Sequence, residues 1–185
     1  MSRSWSACLS ALTLILASCG GSKDQDPGKA GEEGSSAVRV PTGGGTATTI
    51  HLVVEGGPHA GTYDAKSDDV TCTYGFAGKG SWGNQYSVMG KKANEFSSLQ
   101  LIVPDTKDAA DGTDKFLITV AFDALMQPSY SEHTINTTKD NKDGTGTITV
   151  DDKGKTGKVS FSGKTKDNVT LDGTIDCHQL MRSEG

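Results

Sequence analysis

No apolar run in these 185 residues approaches the length that crosses a bilayer, which takes about 20 consecutive apolar residues. No helical span is therefore expected. Nor is there an excess of basic charge. Eighteen Lys and Arg stand against 23 Asp and Glu, a formal net charge of −5. That balance removes the electrostatic footprint of a nucleic-acid binder and any bulk attraction to anionic headgroups. The chain has no Cys-x-x-Cys pair, no Gly-x-Ser-x-Gly elbow, and no two of His51, His59, His133 and His178 at ligand spacing. Each absence withdraws a chemistry: structural zinc, a hydrolase nucleophile on a strand-to-helix turn, and a histidine metal centre. No metal and no cofactor are expected. No long stretch of helical period exists either, so the globular part is not expected to be helical.

What is present begins at the N-terminus. Met1 to Ser6 carries one charge, Arg3, and Ala7 to Ala17 is apolar and ends in small residues, the pattern of a secretory signal. Leu16-Ala17-Ser18-Cys19 follows. These four residues resemble the lipobox of bacterial envelope lipoproteins. The resemblance implies cleavage before Cys19, a diacylglyceryl group on its sulfur and often an acyl chain on its new amine. Stable anchoring takes such a pair of lipid signals. Gly20, where that family's inner-membrane signal has Asp, favours the outer membrane over the inner if the organism has two membranes. The alternative is an ordinary secretory signal beside an incidental cysteine.

Residues 19–46 are expected to be the lipidated cysteine and a flexible tether. From Gly20 to Thr46 there is almost no large apolar side chain, so ordering entropy has nothing to offset it. Random-coil scaling gives this segment a span of roughly 30 Å. Loss of residues 1–18 takes Arg3 with it and moves the net charge from −5 to −6. Acyl chains must then do the anchoring.

Residues 47–185 are expected to form one all-β domain. Period-2 alternation recurs in Ile50/Leu52/Val54, Val70/Cys72/Tyr74/Phe76, Leu99/Leu101/Val103 and Phe116/Ile118/Val120/Phe122. Weaker strands are expected at Gly61–Asp64, Gln85–Met89 and Ser131–Thr137. Inward sets Ile148/Val150, Val159/Phe161 and Val169/Leu171/Ile175/Cys177 are separated by Asp151-Asp152-Lys153-Gly154 and by Lys164 to Asn168. Those turn compositions predict a three-strand meander. Asp105–Asp111 can hold one helical turn. Eight to ten short strands at this spacing predict an antiparallel β-sandwich or a flattened barrel.

Once Cys8 leaves with the signal and Cys19 is lipidated, Cys72 and Cys177 remain. In an exported, oxidising compartment they are expected to form a disulfide, with two buried thiols or a shared metal as alternatives. Bonding would bring the strand around Cys72 beside or opposite the strand that ends at Cys177.

Other motifs are weaker. Asn141-Lys142-Asp143-Gly144 looks like part of a calcium loop. With Gly144 at the sixth position, Lys139 falls at the first, and no Glu stands at the twelfth. The oxygen set is missing, and a turn is expected. His51 and His178 would meet only if their strands were neighbours. Tyr74 to Tyr86 gathers four aromatics and four glycines with Asn84 and Gln85. Such a mixture can bind a sugar or peptide, and Trp82, Tyr86 and Asn84 are the candidate ligand contacts. The competing reading folds Trp82 into the sandwich as a core plug.

The layout of signal, lipobox, tether and β domain resembles small bacterial envelope lipoproteins of unassigned function. The two-cysteine domain and the final strand Gly173–Cys177 are similar to the small mycobacterial lipoprotein antigens. Function does not transfer from such a likeness; the expectation is a membrane-anchored, non-enzymatic module that binds a protein or glycan partner or serves a structural role. The alternatives are a carrier of a lipid or other apolar ligand inside the β domain, and a hydrolase without a recognisable motif. A filled core, an apolar cavity or a polar cleft distinguishes the three.

Overall fold

The computed structural model describes residues 47–69, 71–88, 96–140 and 142–183. Two sheets pack face to face. One has the spatial order β2 (Gly61–Ser67), β1 (Thr48–Glu55), β10 (Thr170–Cys177), β9 (Gly157–Lys164), β8 (Thr145–Asp152). The other runs β11 (Leu180–Arg182), β3 (Cys72–Tyr74), β4 (Trp82–Ser87), β5 (Phe96–Val103), β6 (Leu117–Phe122), β7 (Ser131–Asn136). Every pairing is antiparallel except β11 with β3, which is parallel. The result is a sandwich with distinct sheet edges, not a closed barrel, and eleven described strands take the place of the eight to ten expected. The one helix among the described residues is α1 (Thr106–Ala110), where the Asp105 carboxylate accepts from the Lys107 N–H at 2.8 Å. It is neither long nor apolar enough to cross a membrane.

Alternation decides which residues enter the core. Ile50, Leu52 and Val54 on β1, Val159 and Phe161 on β9, and Leu171, Ile175 and Cys177 on β10 are all buried. They face Leu99, Leu101 and Val103 on β5 and Ile118, Val120 and Phe122 from β6. The meander is present: β8 pairs with β9 and β9 with β10 over eight residues each. At the β8–β9 turn the Asp152 side chain accepts from the Gly154 N–H at 2.8 Å.

The Cys72–Cys177 disulfide is formed, with Cα atoms 6.1 Å apart. It joins β3 of one sheet to the end of β10 in the other. After Cys177 the chain crosses between sheets, and Leu180 comes opposite Cys72.

Three sequence expectations need correction. Strand β3 does not reach Phe76. Gly75 takes φ +80, and a Cβ there would lie 2.2 Å from the Ser183 carbonyl oxygen. The chain turns, and the Phe76 ring lands over Gly83. Strand β4 starts at Trp82, earlier than Gln85, and ends at Ser87; Met89 lies outside the described residues, as does Val70. Strand β11 was not foreseen, because Leu180-Met181-Arg182 is too short to show alternation.

Candidate functional site

Trp82, Tyr86 and Asn84 are not a contact surface. They are 0%, 4% and 0% exposed. The inward positions of β4 carry them: Trp82 pairs across with Val103, and its ring reaches Gly157 at the start of β9. The Asn84 amide donates to Cys72 Sγ and to Thr71 Oγ1, both at 3.1 Å, so it braces the disulfide. The Tyr86 ring stacks on Phe96 at 5.3 Å. The Gly-rich segment is thus a loop with a core plug. Cys19 and the tether lie outside the described residues.

His51 and His178 do not meet. His51 stands opposite Thr174, four residues from His178, about 13 Å of extended chain. Its Nδ1 instead bonds the Asp64 carboxylate at 2.7 Å on the exposed face of the sheet. No cluster of three metal-ligating side chains occurs among the described residues.

A different end of the sandwich gathers buried polar groups. Beyond β1 the chain turns at Gly56-Gly57 and drops His59 onto Phe122, the last residue of β6, with centroids 4.5 Å apart and rings nearly parallel. The Tyr63 hydroxyl donates to the His59 carbonyl at 2.9 Å, and its ring lies 4.9 Å from Phe122. His133, opposite Val120 on β7, meets both rings edge-on, at 5.8 Å from Phe122 and 6.4 Å from His59. His59 Nδ1 and His133 Nε2 are buried and make no hydrogen bond among the described residues. Burial, then the facing His59, holds the His133 imidazole below its ordinary 6.5, against an opposing pull from Asp167.

That depression has a consequence for stability. The unfolded chain takes up the proton first as pH falls, so the neutral His133 contributes stability above about pH 6.5 that is lost progressively below it. The Asp114 carboxylate, held below 3.8 by its bond to Lys142, acts in a lower window. We expect the melting temperature to fall between about pH 7 and about pH 5, with a shallower fall in His133→Gln. An unchanged slope in the variant would show that other groups carry the effect.

Directly after Phe122 the backbone becomes unusual. Asp123 and Met126 take φ +64 and +85, a region that side-chain-bearing residues occupy at a cost and that concentrates at functional loops. Two turn bonds, Gln127 N–H to the Ala124 carbonyl at 2.9 Å and Tyr130 N–H to the Gln127 carbonyl at 3.0 Å, fold the loop back. Across from it β5 carries a register shift between Phe96 and Ser98. Ser97 is buried there and donates to the Ala121 carbonyl at 3.0 Å. Bulges of this kind re-aim side chains beside sites.

Between loop and bulge lies a groove of about 360 Å³, with Asp123, Ala124, Leu125 and Tyr130 on one side and Ser87, Val88, Ser97 and Ser98 on the other. Asp123 is 1% exposed. Its charge reaches Tyr63, whose hydroxyl is raised above 10.0 by burial and then by Asp123. The Tyr130 hydroxyl donates to Glu132 at 2.5 Å and is pushed up to about 12 by burial and by that carboxylate. The rim is apolar, with Leu125 and Met126 at 71% and 92% exposure. Neither histidine lines this groove.

These residues escaped the sequence reading. The available signal was Leu125-Met126 within Asp123–Pro128, two large apolar residues where a turn between strands is ordinarily polar.

Searches of protein-family models, of curated proteins and of solved structures return no match to this chain.

Proposed function

We propose that this chain is a lipid-anchored protein of the bacterial cell envelope, held through Cys19, whose β domain is a non-enzymatic binding module. We propose further that the groove beneath the β6–β7 loop is its ligand site. The carrying observation is the groove itself, walled by a loop with left-handed backbone at Asp123 and Met126 and rimmed by the exposed Leu125 and Met126. The ligand class that complements it is an unbranched apolar side chain of an envelope peptide or protein, seated against Leu125 and Val88.

The competing classes find less support. A carrier needs an interior cavity, whereas Trp82, Phe116, Leu101 and Leu171 are fully buried in one core cluster between the sheets. A hydrolase needs a nucleophile beside its base and a donor pair for the oxyanion. The His51–Asp64 pair sits on an open strand face, where the backbone groups of β1 belong to the ladders on either side.

Two measurements test the two halves. In cells fed a fatty-acid analogue, the wild-type chain should be labelled and Cys19→Ser should not; equal label removes the anchor. For the groove, the amide spectrum of nitrogen-labelled protein is titrated with N-acetyl-norleucine methylamide and with the glycine analogue as control. The norleucine probe should shift Ser97–Ser98 and Asp123–Tyr130 selectively, and Leu125→Ser should weaken the response. Equal shifts from the glycine analogue, or shifts elsewhere, would refute the site.

A further inference from the structure

The sandwich has four sheet edges, and they are not equally protected. Edge β8 is covered: Thr113 exchanges two backbone bonds with Ile148, both at 2.9 Å, and α1 packs beside it. Edge β11 is three residues long, with Arg182 occupied by Asp152 and by the Gly154 carbonyl. Edge β7 gives its last residue to Asp143 through two bonds of 2.8 and 2.9 Å. Edge β2 differs. It keeps unbroken register with β1 over seven residues, and no described strand pairs with its other side. It has no proline, no bulge and no inward charge. Tyr63 and Ala65 pack on the core, while Thr62, Asp64 and Lys66 are exposed. Those missing devices are among the ones that ordinarily keep sheet edges apart; the charges β2 does carry, Asp64 and Lys66, are of opposite sign.

We propose that the β2 edge is the seam of a two-fold homodimer, in which β2 pairs antiparallel with β2 of a second copy and Ala65 faces Ala65. Charge favours a second copy as the partner and ranks the registers centred on Asp64, Ala65 and Lys66. A two-fold axis perpendicular to the sheet keeps inward residues opposite inward ones. Centring on Ala65 sets Asp64 of each copy against Lys66 of the other, giving two opposite-charge cross-strand pairs on the outer face. Centring on Asp64 opposes two carboxylates, and centring on Lys66 opposes two ammonium groups. Like charges directly opposite are destabilising. The Ala65 register also sets Tyr63 against Ser67, which asks for no inward charge. The two five-stranded sheets then become one of ten strands, and neither β2 edge is left open.

The test is oxidative crosslinking of the full-length protein in intact envelopes. Directly opposite residues lie about 4.5–5.5 Å apart at Cβ, so Ala65→Cys should give a reducible dimer. Thr62→Cys, whose two copies are offset by about 20 Å in this register, should not. In the Ala65→Cys background, Asp64→Lys or Lys66→Asp should each cut the yield, by about tenfold, and the double exchange Asp64→Lys with Lys66→Asp should restore it. No crosslink at Ala65, equal crosslinking at Thr62, an adduct with another protein's mass, or no rescue by the double exchange overturns the proposal.

Discussion

Replacing Cys72 or Cys177 with Ser is expected to cost about 2–5 kcal/mol of folding stability, among the largest effects of any single change in this domain. The bond spans a separation of 105 residues, and long closures restrict the unfolded chain most in the chain-entropy model. Its place in the fold adds to this. It ties the sheet of β3 to the sheet of β10, next to the crossing that leads to β11. Its neighbours are fitted to it: Asn84 donates to Cys72 Sγ and is fully buried, so a variant disturbs an acceptor that this amide uses away from water. The C-terminal segment is otherwise held by Leu180 N–H to the Lys155 carbonyl, Ser183 N–H to the Tyr74 carbonyl, and the Arg182 guanidinium over the Tyr74 ring at 4.7 Å. Urea denaturation of oxidised protein, reduced protein and the two variants checks the expectation. The denaturant slope should rise without the bond, because the unfolded chain expands. A loss below about 1 kcal/mol would mean that β11 and the core hold the sheets together unaided.

The legible part of this fold was local. Alternation in Ile50/Leu52/Val54 or Phe116/Ile118/Val120 states which side of a strand is apolar, and those side chains are buried. The β8–β10 meander was legible because its turns carry Asp, Asn and Gly between clean inward sets. The pairing of β1 with β10 was not, since a period says nothing about which distant strand lies alongside. Cysteine counting recovered the one long-range contact that chemistry marks in the sequence. Strand β4 was misplaced because its inward set Trp82/Asn84/Tyr86 mixes a polar amide with aromatics beside four glycines, which weakens the alternation and imitates a binding loop. The groove was missed for a different reason. Asp123 becomes distinctive through burial and a left-handed backbone, and neither is visible until β5 and β6 are side by side.

Adding a single methyl at Gly157 is expected to destabilise the domain by about 1–3 kcal/mol, and the cause should be Trp82. A Cβ at Gly157 would lie 2.4 Å from the Trp82 Cη2 atom and 3.1 Å from the Asp151 carbonyl oxygen. The indole is fully buried between the sheets, so it cannot swing away as a surface side chain would. Truncation from the other side, Trp82→Ala, should cost about 3–5 kcal/mol, because it leaves a cavity the size of an indole in the core cluster. The two changes are coupled by contact, and a double-mutant cycle isolates that coupling. In Trp82→Phe the distal ring carbons are gone, so Gly157→Ala should become nearly neutral against that background. An interaction energy of about 1–2 kcal/mol is expected, measured by urea denaturation of the four proteins. Additive effects within about 0.3 kcal/mol would mean that the indole does not rest on Gly157. They would reopen the reading in which Trp82 faces outward as a ligand contact. Strong coupling leaves the Asp123 groove as the place to look for one.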